Sequence, residues 1–152
     1  MPALGLSFQL DPRLDTVNYY GYGPAENYVD RREGAYLGWH LYRVKDGMSP
    51  YLNPQESGNR GGVQSLSVTD KDQHGVLVMG DNLEISVQPW LPEQLSAARH
   101  CSDLMGPVKT VLDVAMFRKG VGGDDSWGAP TVPKYCYPAD KPYSFTFTLR
   151  AL

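Results

Sequence analysis

The residues best placed to do chemistry stand together in one glycine-rich stretch, Lys119-Gly120-Val121-Gly122-Gly123-Asp124-Asp125-Ser126-Trp127-Gly128. Glycoside hydrolysis needs two carboxylates, about 5 Å or about 6.5–9.5 Å apart across a sugar. Asp124 and Asp125 are neighbours in sequence, and in an extended segment adjacent side chains diverge, so they make a poor acid/base pair. An aspartate in such a turn more readily accepts backbone N–H groups and holds the loop's shape. Trp127 offers a flat, apolar, polarisable face with one N–H donor, the kind of surface on which the C–H face of a sugar ring stacks. Two readings of it stay open on residue types alone: a sugar platform, or a hydrophobic plug folded under its own loop.

Other constellations carry less. A serine hydrolase needs Ser, His and an acid brought together, but His40, His74 and His100 fall in a strand, a turn and a post-helix position, with no nucleophile elbow. Asp70, Asp72 and His74 resemble metal ligands on paper, yet an exposed hairpin tip explains them. His100-Cys101-x-Asp103 is short of the roughly four convergent ligands a zinc site takes. Gly21-x-Gly23 has no third glycine and no helix after it, so it is no dinucleotide fingerprint. The two acids after Gly122-Gly123 would repel a phosphate.

The elements that must position these residues read as strands. Leu4–Leu10, Thr16–Tyr20, Ala35–Val44, Val63–Val68, Val76–Met79, Leu83–Val87 and Val108–Phe117 alternate or are rich in β-branched and aromatic residues, and Tyr143–Ala151 alternates most cleanly. The breaker Gly21-Tyr22-Gly23-Pro24 is expected to end the second strand. In Leu83–Val87 the period of two turns Leu83, Ile85 and Val87 inward and Glu84, Ser86 and Gln88 outward. In Ala35–Val44 it sets Leu37, Trp39 and Leu41 on one side of the pleat and His40 on the other, as a hydrogen-bonded filler. Pro92–His100 is the one plausible helix, with Pro early and Glu in its first turn. These predict an all-β, antiparallel β-sandwich with one short helix.

Composition narrows the classes further. The 152 residues carry 14 basic and 17 acidic side chains, a net charge of −3, which leaves no footprint for nucleic acid or an anionic membrane. No apolar run approaches the roughly 20 residues of a membrane span. Met1-Pro2-Ala3-Leu4-Gly5 lacks the basic-then-apolar pattern of a leader, so a cytoplasmic protein is expected. Cys101 and Cys136 have no metal-ligand spacing, and two reduced thiols are expected rather than a disulfide. A single domain over 1–152 fits this length.

Three ordered stretches add a resemblance. Tyr20-Gly21-x-Gly23-Pro24-x-Glu26-Asn27-Tyr28-x-Asp30-Arg31 resembles the "YGxGPxENYxDR" segment of LacZ-type β-galactosidases, in the family-two glycoside hydrolases. Tyr51-x-x-Pro54-Gln55-Glu56-x-Gly58-Asn59-Arg60 is similar to their "YxxPQExGNR" segment, and Gly120-x-Gly122-Gly123-Asp124-Asp125-Ser126-Trp127-Gly128 to their "GxGGDDSWG" segment. The resemblance covers nearly the whole chain.

It implies the C-terminal, small-subunit-like domain of such an enzyme, a galactose-mutarotase-like supersandwich whose upstream strands precede Met1. The enzyme would be a retaining glycosidase acting on terminal β-D-galactosides such as lactose. Its catalytic glutamates, and the magnesium and sodium ions, would lie on a (β/α)₈ barrel. A barrel takes about 250 residues, so this chain cannot contain one; it is expected to hold no catalytic residue and no metal, and to be inactive alone. Its partners would be that barrel domain or large subunit and a β-galactoside, in an oligomeric parent enzyme. By match to the family motif, Trp127 becomes the platform for the aglycone, with Asp125 and Ser126 shaping its loop. Glu26, Asn27, Tyr28, Asp30, Arg31, Glu56, Asn59 and Arg60 would form a structural network. The alternatives are a free-standing carbohydrate-binding module and a purely structural assembly domain.

Overall fold

The computed structural model describes residues 1–152 except Met105, Pro107, Val108 and Ser126. The expected strand start at Val108 and the loop-shaping role of Ser126 therefore lie outside the described residues.

Among the described residues seven strands form one antiparallel sheet: β1 (Ala3–Leu10), β2 (Thr16–Gly23), β3 (Tyr36–Arg43), β4 (Arg60–Thr69), β5 (Gly75–Gln88), β6 (Thr110–Arg118) and β7 (Phe147–Ala151). The order is β1-β6-β5-β4-β2-β3, with β7 paired to β5. The all-β antiparallel expectation, with one short helix α1 (Pro92–Ala97), is met.

The segments Val76–Met79 and Leu83–Val87 belong to a single strand, β5. Its bend falls at Asn82, whose φ of 52° is left-handed, a conformation asparagine tolerates better than most residues. Opposite it, β4 shifts register twice between Arg60 and Ser65, as a bulged strand does to add curvature. The two halves of β5 then serve different neighbours: Val76–Gly80 pairs with β7, and Glu84–Gln88 pairs with β6. Coiling brings non-paired strands face to face in the layered manner of a sandwich, so Phe8 of β1 meets Phe147 of β7 edge to face at 6.3 Å. Between the layers lie Val17, Tyr19, Leu66, Val68, Val78, Ile85, Val87, Leu112 and Val114, all buried.

Three boundaries differ from the sequence reading, each for a physical reason. β2 runs through the glycine breaker to Gly23, because its ladder with β3 continues to Gly23 opposite Tyr36; a Cβ at Gly23 would strike the Tyr19 hydroxyl. α1 stops at Ala97, since Asp103 draws the Arg99 and His100 N–H groups to its carboxylate at 3.0 and 2.9 Å. β7 is confined to Phe147–Ala151: its pairing with β5 ends at Gly80, two residues before the left-handed Asn82, and β6 pairs with β5 from Glu84 onward. Tyr143 instead packs on Phe117 and donates its hydroxyl to Pro138 O.

The outward assignment of Glu84, Ser86 and Gln88 is overturned: all three are buried. Strand alternation predicts an outer face, but the chain between β2 and β4 lies over this half of β5 and covers it, as the contacts of Glu84 below show. His40 is buried between Tyr19 and Tyr36, with Nε2 at 3.3 Å from Tyr36 O. Asp70 caps the β4–β5 turn, accepting the Asp72 and His74 N–H groups. Cys101 and Cys136 are free thiols.

Candidate functional site

A buried polar cluster joins the Glu26–Arg32 segment to the start of β4. Asn27 donates through Nδ2 to Tyr22 O at 2.9 Å, and its Oδ1 accepts from Gly61 N at 3.1 Å. Asn59, fully buried, donates to Asn27 O at 2.8 Å and to Glu84 Oε2 at 2.5 Å, while Asn27 N donates to Asn59 O at 2.8 Å. The other oxygen of Glu84 takes the Arg32 guanidinium at 2.9 Å. Arg60 donates to Pro24 O and Gly58 O and lies over the Tyr42 ring at 5.1 Å. Each amide here answers a backbone group from another segment, so the loops are locked by side chains rather than by regular secondary structure.

Glu26 binds the same loops from outside. Its carboxylate accepts from Arg31 Nη2 at 2.5 Å, from the Tyr51 hydroxyl at 2.7 Å and from Gly58 N at 2.7 Å. Burial raises its pKa, but these donors outweigh burial and hold it below the ordinary glutamate value. At Glu84 the balance falls the other way: burial raises its pKa, and Asn59 and Arg32 offset only part of the rise. Tyr28 is buried, its backbone paired with Arg31 in a tight turn. Glu56 pairs with Arg118, which also reaches Asp113 at 3.2 Å.

Asp30 is the link to the glycine-rich loop. Its Oδ2 accepts from Gly122 N at 2.7 Å. A Cβ at Gly120 would fall 2.6 Å from the Asp30 carboxyl carbon, so glycine is what lets the loop's root approach that carboxylate. Gly120 N donates to Tyr135 O, and Thr131 Oγ1 donates to Gly120 O. Phe117 stacks flat on Tyr137 at 3.9 Å, fixing the returning limb. At the tip, Asp125 Oδ1 accepts from Trp127 N at 2.8 Å and Ala129 N at 3.2 Å, the turn-capping role of an Asx residue. Trp127 is 92% exposed. The plug reading is therefore not what this chain adopts; the indole stands in solvent on a loop anchored at its root.

Among the described residues no group of three or more His, Cys, Asp or Glu could hold a metal ion.

With this geometry in view, comparison with known proteins decides the family. The family described as "Beta galactosidase small chain" matches residues 1–149. The chain belongs to it. A "Beta-galactosidase" of Priestia megaterium is 39% identical over 100% of this chain, and one of Halalkalibacterium halodurans is 38% identical over 98%. One of Lactobacillus delbrueckii subsp. bulgaricus is 38% identical over 100%. The chain spans about 15% of the length of each of these relatives.

Residue patterns alone do not single out Arg32, Glu84, Asp113 or Arg118. Arg32 carried a signal, as the second of two arginines beside Asp30. Glu84 carried the opposite one, since alternation places it outward.

Proposed function

We propose that this chain is the non-catalytic part of a β-galactosidase that completes the acceptor side of its active site. Trp127 serves there as the apolar platform under the aglycone, such as the glucose of lactose. The exposure of Trp127 on a loop anchored by Asp30 carries this reading: an indole held out to solvent has its face free for a ring that the rest of the enzyme presents. Stacking would orient the leaving group toward a catalytic acid supplied elsewhere, a positioning effect. The catalytic carboxylates of a retaining mechanism, and the magnesium and sodium ions that the family resemblance implies, would sit on the remaining polypeptide, in a barrel domain or large subunit.

The test uses the complete enzyme. Trp127→Ala should weaken glucose as acceptor and product inhibitor about ten-fold, the scale of one aromatic contact, while leaving galactose affinity unchanged. Equal affinity for glucose in both forms would remove the assigned role. The isolated chain should show no turnover of o-nitrophenyl galactoside; robust hydrolysis by it would overturn the non-catalytic reading.

A further inference from the structure

β3 is uncovered on two sides at once. It ends the sheet, so among the described residues no strand pairs with its outer edge. Its outward face carries Leu37, Trp39 and Leu41, with Trp39 64% and Leu41 71% exposed. The register extends that face across the sheet: Trp39 stands opposite Tyr20, Tyr20 opposite Ser65, and Ser65 opposite Met79. Trp39 leans on Tyr20, with ring centroids 5.5 Å apart. Ser65 is small and half-buried, and Met79 beyond it is partly exposed. The opposite face of the same strands is the core, with Val17, Tyr19, Leu66 and Val68. A sheet with one face in its core ordinarily turns a polar face to water. Here the free face instead sets the exposed side chains of Leu37, Trp39 and Leu41 along one strand, and apolar side chains gathered on one surface mark an interaction site.

We infer that this face of β3 is covered by the part of the β-galactosidase polypeptide that lies outside this chain, packed as an apolar layer over Trp39 and Leu41. The inference rests on the reading that the chain is one portion of a larger enzyme, and it concerns a different surface from the Trp127 loop. One observation selects the occupant. The chain spans about 15% of its relatives' length, so most of such an enzyme is available as a partner, and linkage within one assembly raises effective concentration without a large interface. The chemistry of the face agrees, since Arg43 at its end is already paired with Asp15 at 2.7 Å and Leu37, Trp39 and Leu41 carry no charge.

Hydroxyl-radical footprinting, read residue by residue by mass spectrometry, compares the isolated chain with the complete enzyme. Trp39 and Leu41 should oxidise freely in the isolated chain and at least about five-fold more slowly in the complete enzyme, as side chains closed to solvent do. Equal rates in both would overturn the inference. Protection already present in the isolated chain and rising with its concentration would overturn it in favour of a second copy. Leu41→Lys supplies a second arm: the isolated chain should keep its Tm, whereas the complete enzyme should lose several degrees; an unchanged Tm in the complete enzyme would also sink the idea. Protection of Trp127 by glucose in the same samples reports the acceptor role separately, so either reading can fail alone.

Discussion

The Asn27–Asn59–Glu84 cluster and the Trp127 loop are both irregular and polar, yet they are held in opposite ways. In the cluster nearly every bond joins residues far apart in sequence, and Asn59 and Glu84 are buried. In the loop the tip is held by bonds spanning two and four residues, and only the root reaches a distant segment, at Asp30. The first arrangement over-determines a conformation. The second fixes where the loop starts and leaves its apolar tip free to meet something. Removing a member of the cluster should therefore unfold the protein, and removing the tip should not.

The largest effect is expected from Asn59→Ala. It strips donors from Asn27 O and from Glu84, leaving a buried carbonyl and a buried carboxylate short of partners, at a cost of about 3 kcal/mol. Urea denaturation of the isolated chain should show the midpoint fall with little change in slope. A loss below about 1 kcal/mol would mean that water replaces the amide, and that the cluster is not the lock described.

Glu26→Gln comes next, at about 2 kcal/mol near neutral pH, because three donors to a charged acceptor become donors to a neutral one. The folded pKa of Glu26 lies below the ordinary value of 4.5. Its contribution is thus fully present above that value and is lost as pH falls through the lower, folded one. Glu84, raised above 4.5, acts with the opposite sign and costs stability as pH rises through its folded value. Denaturation midpoints followed from pH 7 down to about pH 3 should fall less steeply in Glu26→Gln than in the parent. Parallel curves would show that Glu26 carries no such linkage.

The same contrast explains what could be read from sequence. Strands that see one neighbour and one face of water obey their alternation, and the β4–β5 hairpin tip at Asp70–His74 and the filler role of His40 were legible from local pattern. Burial of Glu84 was not, since it depends on a loop from some 50 residues earlier arriving over β5 with Arg32. The length of β7 was not legible either; its pairing with β5 ends at Gly80, two residues before the left-handed Asn82. At the candidate site, the turn-capping part of Asp125 follows from its type and its glycine neighbours. Whether Trp127 folds under its own loop does not, because an indole can do either and only the folded chain shows it exposed.

Gly120→Ala tests that root. The added methyl would meet Asp30 and also Tyr135 Cβ, 2.9 Å away, and should cost about 1–2 kcal/mol as an overpacked contact. More telling than the cost is where it appears. Hydrogen exchange at Gly122 N–H, which donates to Asp30, should accelerate well before exchange in β6 does. Uniform acceleration would mean that the loop and the sheet unfold as one unit.

The smallest effect should be Trp127→Ala on the stability of the isolated chain. An exposed side chain that buries almost nothing contributes within about 0.5 kcal/mol, so denaturation curves should superimpose. The result gains meaning beside the acceptor assay in the complete enzyme. A residue that matters to ligand affinity and not to stability is one the fold presents without using. If Trp127→Ala instead destabilised the chain by more than about 1 kcal/mol, the indole would be packing against its own domain in solution. The contrast between a locked cluster and a free tip would then collapse, and the platform role with it.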